Sequence, residues 1–325
     1  MNIQRKTIDF INATCASRTK KLVGADRLRR MAEAESLAQA FDILRESHFG
    51  GEENFSCGEY EKLIEAEELL LCSFVKDFAP SNEILQICLI DNDFYNVQAL
   101  LKCEFMNLPC DNYLQTAGVF TVEELKDLLK GENLSNFPKE LVKAVNDARE
   151  SFKNGNGGMA IGAIFTRAKF AYLTRVTKTD YLKKLLVKKI DGINLCVCLR
   201  AGDSQIANGQ ILKGGTLNQK QIDALASHDR DSVINLFEGH WIKDFALLGV
   251  DAVANGKPIV DLERQLSSLE AQRMIDGRYV EQSGTYPFML YYFKRKNEIA
   301  CVRTILTGKA NGLDGEQIKR RLITV

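Results

Sequence analysis

Histidine pairs, nucleophile turns and glycine-rich phosphate loops are the patterns that most often carry chemistry, and this chain offers none of them at a usable spacing. His48, His228 and His240 are the only histidines, and none has a His or Cys at i+3 or i+4, where a helix would bring two ligands to one metal ion. No His-Glu-x-x-His and no Gly-x-Ser-x-Gly run occurs. His240 stands beside Trp241, a place that suits a helix-end histidine against a packed indole. A Walker loop needs an earlier glycine and a hydroxyl for magnesium, and both Gly308-Lys309-Ala310 and Gly256-Lys257-Pro258 lack them. Gly155 to Gly162 is glycine-rich, but no strand precedes it, so turn glycines are expected there and not a dinucleotide site. Carboxylate pairs such as Glu67-Glu68 and Glu123-Glu124 are what solvated helix faces carry. The expectation is a chain with no catalytic, cofactor-binding or metal-binding residue, and no cofactor.

Nine cysteines, an odd number, are scattered through apolar stretches at positions such as Cys72, Cys88, Cys103 and Cys301. Free buried thiols in a reducing compartment fit this better than a disulfide framework. Cys196-x-Cys198 is the one close pair, and without a second pair it reads as core and not as zinc. With 325 residues, 43 basic against 43 acidic side chains and 45% apolar content, the chain can bury a core and lacks the basic excess of a nucleic-acid binder. The N-terminal run shows no apolar signal-peptide core, so no export is expected. The richest apolar window, Leu69 to Val75, is far short of the ~18–20 residues of a membrane helix.

The elements behind these residues read as helix almost everywhere. Only five prolines interrupt the chain. Leu28, Met31, Ala34, Leu37, Phe41 and Leu44 recur at steps of three or four across Ala25 to Arg45, as one amphipathic helix or a pair, with Asp26 as the expected N-cap and Gly50-Gly51 beyond the stop. From Ser56 a second such stripe runs through Tyr60, Leu63, Ile64, Glu67, Leu70 and Leu71. Turn chemistry marks Asn154 to Gly158, Ala201 to Gly215 and Asp276 to Thr285. The first is short enough to be a tight connection between helices.

Three runs align. Asp93 and Asn96 precede Val97, Leu100 and Leu101; Asp191 and Asn194 precede Leu195, Cys198 and Leu199; Glu298 and Cys301 precede Val302, Ile305 and Leu306. They recur at intervals of about one hundred residues. A second set, Leu28-x-x-Met31, Leu125-x-x-Leu128 and Ile222-x-x-Leu225, is in phase with the first. Amphipathic helices can be slid into register by chance, but two sets in phase favour a repeat, and three similar helical domains at 1–103, 104–201 and 202–325 are expected. Basic clusters at Arg27, Arg29 and Arg30, at Lys183-Lys184 with Lys188-Lys189, at Lys294-Arg295-Lys296 and at Lys319-Arg320-Arg321 lie in helical text. They are either charged outer faces or binding surfaces for an acidic protein or lipid headgroups.

The C-terminal stretch carries a resemblance. Lys296-Asn297-Glu298-Ile299, Arg303, Ile305-Leu306-Thr307-Gly308-Lys309 and the basic run Glu316 to Leu322 resemble the ending of the C-type subunit family of the V-type (A/V-type) ATP synthase, the counterpart of the d-type subunit of the vacuolar ATPase. The opening Ile11-Asn12-Ala13 through Ser17-Arg18 and Leu22, the helix end at Phe49-Gly50 and the run Asp191 to Arg200 are similar to that family as well. Thr14 and Phe49 depart from it, standing where its usual Arg and Tyr would be. The resemblance implies an all-α fold of three similar domains in a pseudo-threefold funnel. It also implies a non-catalytic central-stalk rotor protein that couples shaft subunits D and F to the membrane ring of c or K subunits, for proton or sodium transport. Such a protein would lie on the cytoplasmic face of the membrane, held there through the complex. A freestanding helical scaffold outside the ATPase is the alternative. Glu298 and Arg303, one and a half turns apart on the last long helix, are candidates for an interdomain ion pair or a shaft contact, with a plain solvated face as the other possibility.

Overall fold

The computed structural model describes residues 6–51, 54–110, 113–155, 157–276 and 284–322. Its first part contains α1 (Ile8–Thr19), α2 (Ala25–Glu33), α3 (Leu37–Arg45), α4 (Tyr60–Phe78), α5 (Asn82–Met106), α6 (Val122–Lys130), α7 (Lys139–Lys153) and α8 (Gly158–Val176). These are followed by α9 (Asp180–Ala201), α10 (Ser204–Asn208), α11 (Gln219–Ala226), α12 (Arg230–Leu236), α13 (Lys243–Ala254), α14 (Val260–Asp276), α15 (Tyr286–Ala310) and α16 (Gly315–Lys319). No strand occurs among the described residues, so the class is all-α. Each proline falls at a helix end or between helices: Pro80 between α4 and α5, Pro109 after α5, Pro138 capping α7, Pro258 before α14 and Pro287 in the first turn of α15. Missing N–H groups therefore break no helical ladder.

The stretch 25–45 folds as the pair α2 and α3. Asp26 is not the cap expected of it. Gly24, at φ +83°, makes the turn into α2, and Asp26 sits in the first helical turn, bonded to Arg29 at 3.0 Å. Three later helices begin with capping boxes, Thr121 with Glu124, Asn218 with Gln221 and Asp314 with Gln317. The connection after α7 is as tight as expected, with Asn156 outside the described residues. The turn segment 201–215 contains the short helix α10, and of the expected turn at Asp276 to Thr285, residues 277–283 lie outside the described residues.

Packing divides the chain into two compact units, residues 1–89 with 271–325 and residues 90–270, with α5 and α14 running through the points of division. In the first unit α15 is the central element, contacted by α1, α2, α3, α4 and α16. Its Phe288, Ile299, Val302, Ile305 and Leu306 are buried, and Phe74 of α4 stacks on Phe288 at 5.5 Å between ring centroids. Each such side chain contributes about 1.5–3 kcal/mol of burial. On α4, Leu63, Ile64, Glu67 and Leu71 are buried as the stripe requires, whereas Leu70 is 46% exposed. In the second unit the antiparallel pair α7 and α8 packs side by side, and a core of Leu195, Cys198, Leu199, Leu225, Phe237 and Val250 gathers α9, α11, α12 and α13.

Candidate functional site: carboxylate clamps and a cationic cleft

The three acidic residues aligned in the sequence perform one task. On α5, Asp93 accepts the backbone N–H groups of Val119 (2.9 Å) and Phe120 (3.1 Å), just before the cap of α6. On α9, Asp191 accepts the backbone N–H and the hydroxyl of Thr216, both at 2.6 Å, just before the cap of α11. On α15, Glu298 accepts the backbone N–H of Gly24 at 3.0 Å, at the cap of α2. A long helix thus clamps the loop that opens a short one in each case. The third clamp reaches back to the loop before α2 and not forward along the chain.

The asparagines repeat as well. Asn96 brackets Gln115, its amide donating to the carbonyl and its oxygen accepting the N–H, both at 2.7 Å. Asn194 brackets Leu212 in the same way at 2.9 and 2.8 Å. At the third position stands Cys301, buried, with the Asn297 amide donating to its Sγ at 3.9 Å. Two glycines make the clamps possible. A Cβ on Gly118 would lie 2.3 Å from Asp93 Oδ1, and one on Gly215 would lie 2.4 Å from Asp191 Oδ1. Trp241 adds its indole N–H to Asp191 at 3.3 Å, and His240 bonds Thr216 at 3.0 Å, so the expected histidine beside a packed indole belongs to the second clamp.

The third clamp carries more charge than the others. Arg295 lies between Glu67 and Glu298, with Nε and Nη2 each 2.6 Å from Glu67 and Nη1 2.5 Å from Glu298. Glu67 also accepts the Gly50 N–H at 2.8 Å, and Phe49 supplies a ring 5.2 Å beneath the guanidinium. All three side chains are buried. Burial raises Glu298 above the ordinary carboxylate range, against the opposing pull of Arg295 and the Gly24 N–H. Each carboxylate oxygen of the pair faces a donor, so two carboxylates share one guanidinium without an unsatisfied atom.

Beside this cluster, within the same unit, lies a cleft of about 550 Å³. One side of α1 lines it with Phe10, Ala13, Thr14, Ser17 and Arg18, and Lys21 follows just past the helix end. Leu70, Leu71 and Glu67 of α4, Tyr291 and Arg295 of α15, and His48 complete its lining. Arg18 holds its guanidinium 4.6 Å over the Phe74 ring.

Most of the basic clusters spend their charge locally. Arg27 and Arg30 reach Glu46 at 3.9 and 3.6 Å, Lys183 reaches Asp180 at 3.7 Å, and Lys319 reaches Glu33 and Glu316 at 2.8 and 3.1 Å. Arg303 pairs with Glu68 at 3.0 Å while 43% exposed, so it and Glu298 are engaged with different partners. Among the described residues no group of three His, Cys, Asp or Glu could hold a metal ion. Burial pushes the Cys15 and Cys198 thiols up to about 12 and Cys196 up to about 11, which keeps them protonated and inert. In the amino-acid sequence Arg295 was readable as part of a basic run, and Glu67 as a stripe position and as half of a solvated carboxylate pair, a reading that its burial overturns. The signal of their pairing was a charge of each sign set into an apolar stripe.

Compared with known proteins, the chain matches the family described as ATP synthase (C/AC39) subunit over residues 11–321. It is 20% identical over 325 residues to the C-type subunit of the V-type sodium ATPase of Enterococcus hirae, an alignment covering 96% of this chain and 97% of that protein. It is 21% identical over 351 residues to the C-type subunit of the A-type ATP synthase of Methanocaldococcus jannaschii, covering 97% of this chain and 86% of that protein.

Proposed function

This chain belongs to the ATP synthase (C/AC39) subunit family, and from that premise we propose that it is a non-catalytic central-stalk component of a V-type or A-type ATPase. In this role it couples the central shaft of subunits D and F to the membrane ring of c or K subunits during proton or sodium transport. The observation that carries the proposal is the family match across residues 11–321, which leaves little of the chain outside a shared architecture. It would act from the cytoplasmic face of the membrane, attached through the complex. Among the described residues no helix is long and apolar enough to cross a membrane.

The clamps support a threefold internal repeat with boundaries near 103/104 and 201/202. The matching part of each repeat would run from a short helix (α2, α6, α11) to a long one (α5, α9, α15). The acidic residue of each long helix then holds the loop that opens another repeat, so packing crosses the repeat boundaries. That is why units defined by packing need not coincide with units defined by repetition. A coupling element needs stiffness and contact area more than reactive groups, and long helices locked by buried charge provide the first.

Affinity purification of the tagged chain from its own cells tests the proposal. Shaft and ring subunits should be recovered with it. Recovery of the chain without any other ATPase component would overturn the proposal in favour of a freestanding scaffold.

A further inference from the structure

Asn-Gly is the dipeptide in which a backbone nitrogen most easily reaches a side-chain amide, because glycine has no Cβ to hold the two apart, and it occurs five times in this chain. Asn156 lies outside the described residues. Asn208 is the last residue of α10, and Gly209 after it keeps a right-handed helical backbone at φ −64°. The other three pairs form a matched set. Asn154, Asn255 and Asn311 follow α7, α13 and α15 with φ of −81°, −93° and −92° and ψ of 8°, 12° and 9°. Each glycine after them is left-handed, at φ +79°, +64° and +72°. Each also donates its N–H three residues back, to the carbonyls of Phe152 (3.0 Å), Val253 (2.9 Å) and Lys309 (3.1 Å). All three asparagines are exposed.

What separates them is the hold on the side chain. Asn255 donates its amide to the Asp251 carbonyl at 2.6 Å, and Asn311 donates its own to the Thr307 carbonyl at 2.8 Å. The Asn154 side chain makes no hydrogen bond among the described residues. The chain beyond differs as well. The N–H of Lys257 bonds the Ala252 carbonyl and that of Leu313 bonds the Gly308 carbonyl, both at 2.9 Å, which closes each of these helix ends a second time. Pro258 and the buried Ile259 then follow the one, and the capping box at Asp314 the other. After Asn154, by contrast, Gly155, Gly157 and Gly158 supply three of the next four residues, and a Cβ built on any of them would meet nothing within 4 Å. Backbone rotation there meets little steric resistance.

We propose that Asn154 is a site of spontaneous deamidation, favoured over Asn255 and Asn311 because its amide is untethered and glycines follow it. Ring closure needs the Asn154 ψ to turn and the Gly155 N–H to leave Phe152, and these steps are common to all three pairs. Release of the amide from a carbonyl one turn back is an added requirement at Asn255 and Asn311. The Gly155 nitrogen attacks Asn154 Cγ, the new N–C bond forms as the Cγ–Nδ2 bond breaks, and the Gly155 amide proton departs with that nitrogen as ammonia. Water then opens the cyclic imide at either carbonyl and leaves aspartate or isoaspartate at position 154. Nothing is oxidised or reduced, and water is the co-reactant. An aspartate here sets a negative charge against the last carbonyls of α7, where the helix dipole disfavours it. An isoaspartate lengthens the backbone just beyond Phe152, whose ring stacks on Phe105 of α5 at 4.0 Å between centroids. Either product loosens the end of α7, whatever the role of the chain in the ATPase.

The test holds the native protein at pH 8 over weeks, digests samples at acidic pH and reads each Asn-Gly site by mass spectrometry, with fragmentation separating position 154 from position 156. Labelling by protein isoaspartate methyltransferase identifies the rearranged product. The expected rate at Asn154 is at least fivefold above those at Asn255 and Asn311. In the same chain unfolded in urea the three rates should converge to within about twofold, because the tethers and closed helix ends are then gone. A native rate at Asn154 no higher than at the other two overturns the inference. An excess at Asn154 that persists undiminished in urea overturns it too, since local sequence and not the fold would then set the rate.

Discussion

Replacing Arg295 by Met removes the guanidinium shared by Glu67 and Glu298 while keeping a side chain of comparable length. Three charge-assisted contacts are lost, two to Glu67 and one to Glu298, and each carboxylate retains one backbone N–H. Glu67 and Glu298 are 4% and 6% exposed, so water has little access to replace the missing donors. Removing one partner of a buried ion pair costs about 3–5 kcal/mol, and two orphaned charges put this variant near the upper end. A domain is stable by only about 5–15 kcal/mol, so the loss is a large share of the whole. Urea unfolding followed by far-ultraviolet circular dichroism at neutral pH measures it. The triple variant Glu67→Gln, Arg295→Met, Glu298→Gln leaves no orphaned charge and should recover at least about 2 kcal/mol of the deficit. Acidification should also shrink the deficit of Arg295→Met, because Glu298, which burial already raises, can then take up a proton and lose its orphaned charge. A loss below about 1 kcal/mol for the single variant, or a triple variant no more stable than the single, would refute the electrostatic account.

The clamps, the thiols and the pH response give three more expected outcomes. Gly118→Ala and Gly215→Ala each force a carboxylate away from a loop, and at about 1.5–3 kcal/mol per hydrogen bond to a charged group each should cost about 2–4 kcal/mol, read from the urea midpoint. In the native protein at pH 8, Ellman's reagent should spare Cys15, Cys196 and Cys198, whose thiols burial pushes to about 12, 11 and 12, and should modify the half-buried Cys57 and Cys110 first, as peptide mapping would reveal. Glu298 is raised in the folded state, so it binds its proton more tightly there than in the unfolded chain. The stability of wild type relative to Glu298→Gln should therefore fall as pH rises from the ordinary carboxylate range to the raised value. Glu140 runs the other way. Its hydrogen bonds to Arg175, at 2.6 and 2.9 Å, lower its pKa, so its contribution is present above the ordinary carboxylate range and is lost as pH falls through the lowered value. Denaturation of wild type, Glu298→Gln and Glu140→Gln across pH separates the two slopes.

The helical class was legible because the local signals agree: apolar residues at steps of three and four, and prolines only where helices end. Boundaries were less legible where backbone geometry decides them. Asp26 has the composition of an N-cap, but Gly24, at positive φ, already makes the turn, and the carboxylate is left within the first turn of the helix. Leu70 shares the apolar stripe of α4, yet it lines the cleft and is 46% exposed.

The clamp residues show where sequence reasoning stops. Asp93 with Asn96 and Asp191 with Asn194 could be aligned by spacing alone, but their partners are backbone groups 18 to 27 residues further on, which carry no side-chain signature. Only Gly118 and Gly215 leave a trace, each three residues before a capping Thr121 or Asn218. Arg295 was hidden differently, as the middle of Lys294-Arg295-Lys296, a run whose composition suggests a solvated face. Helical periodicity separates the three. Position 295 continues the stripe of Phe288, Tyr291, Tyr292, Glu298, Ile299 and Val302, all buried, while Lys296 is exposed. Glu67 interrupts the stripe of α4 in the same manner, between Ile64 and Leu71. A buried charge requires a counter-charge, so two apolar stripes that each carry a charge of opposite sign imply that their helices pack together. Such reasoning joins α4 to α15 from the amino-acid sequence. It does not supply the second carboxylate, because Glu298 is fixed by the Gly24 N–H, a group that every non-proline residue of the chain possesses.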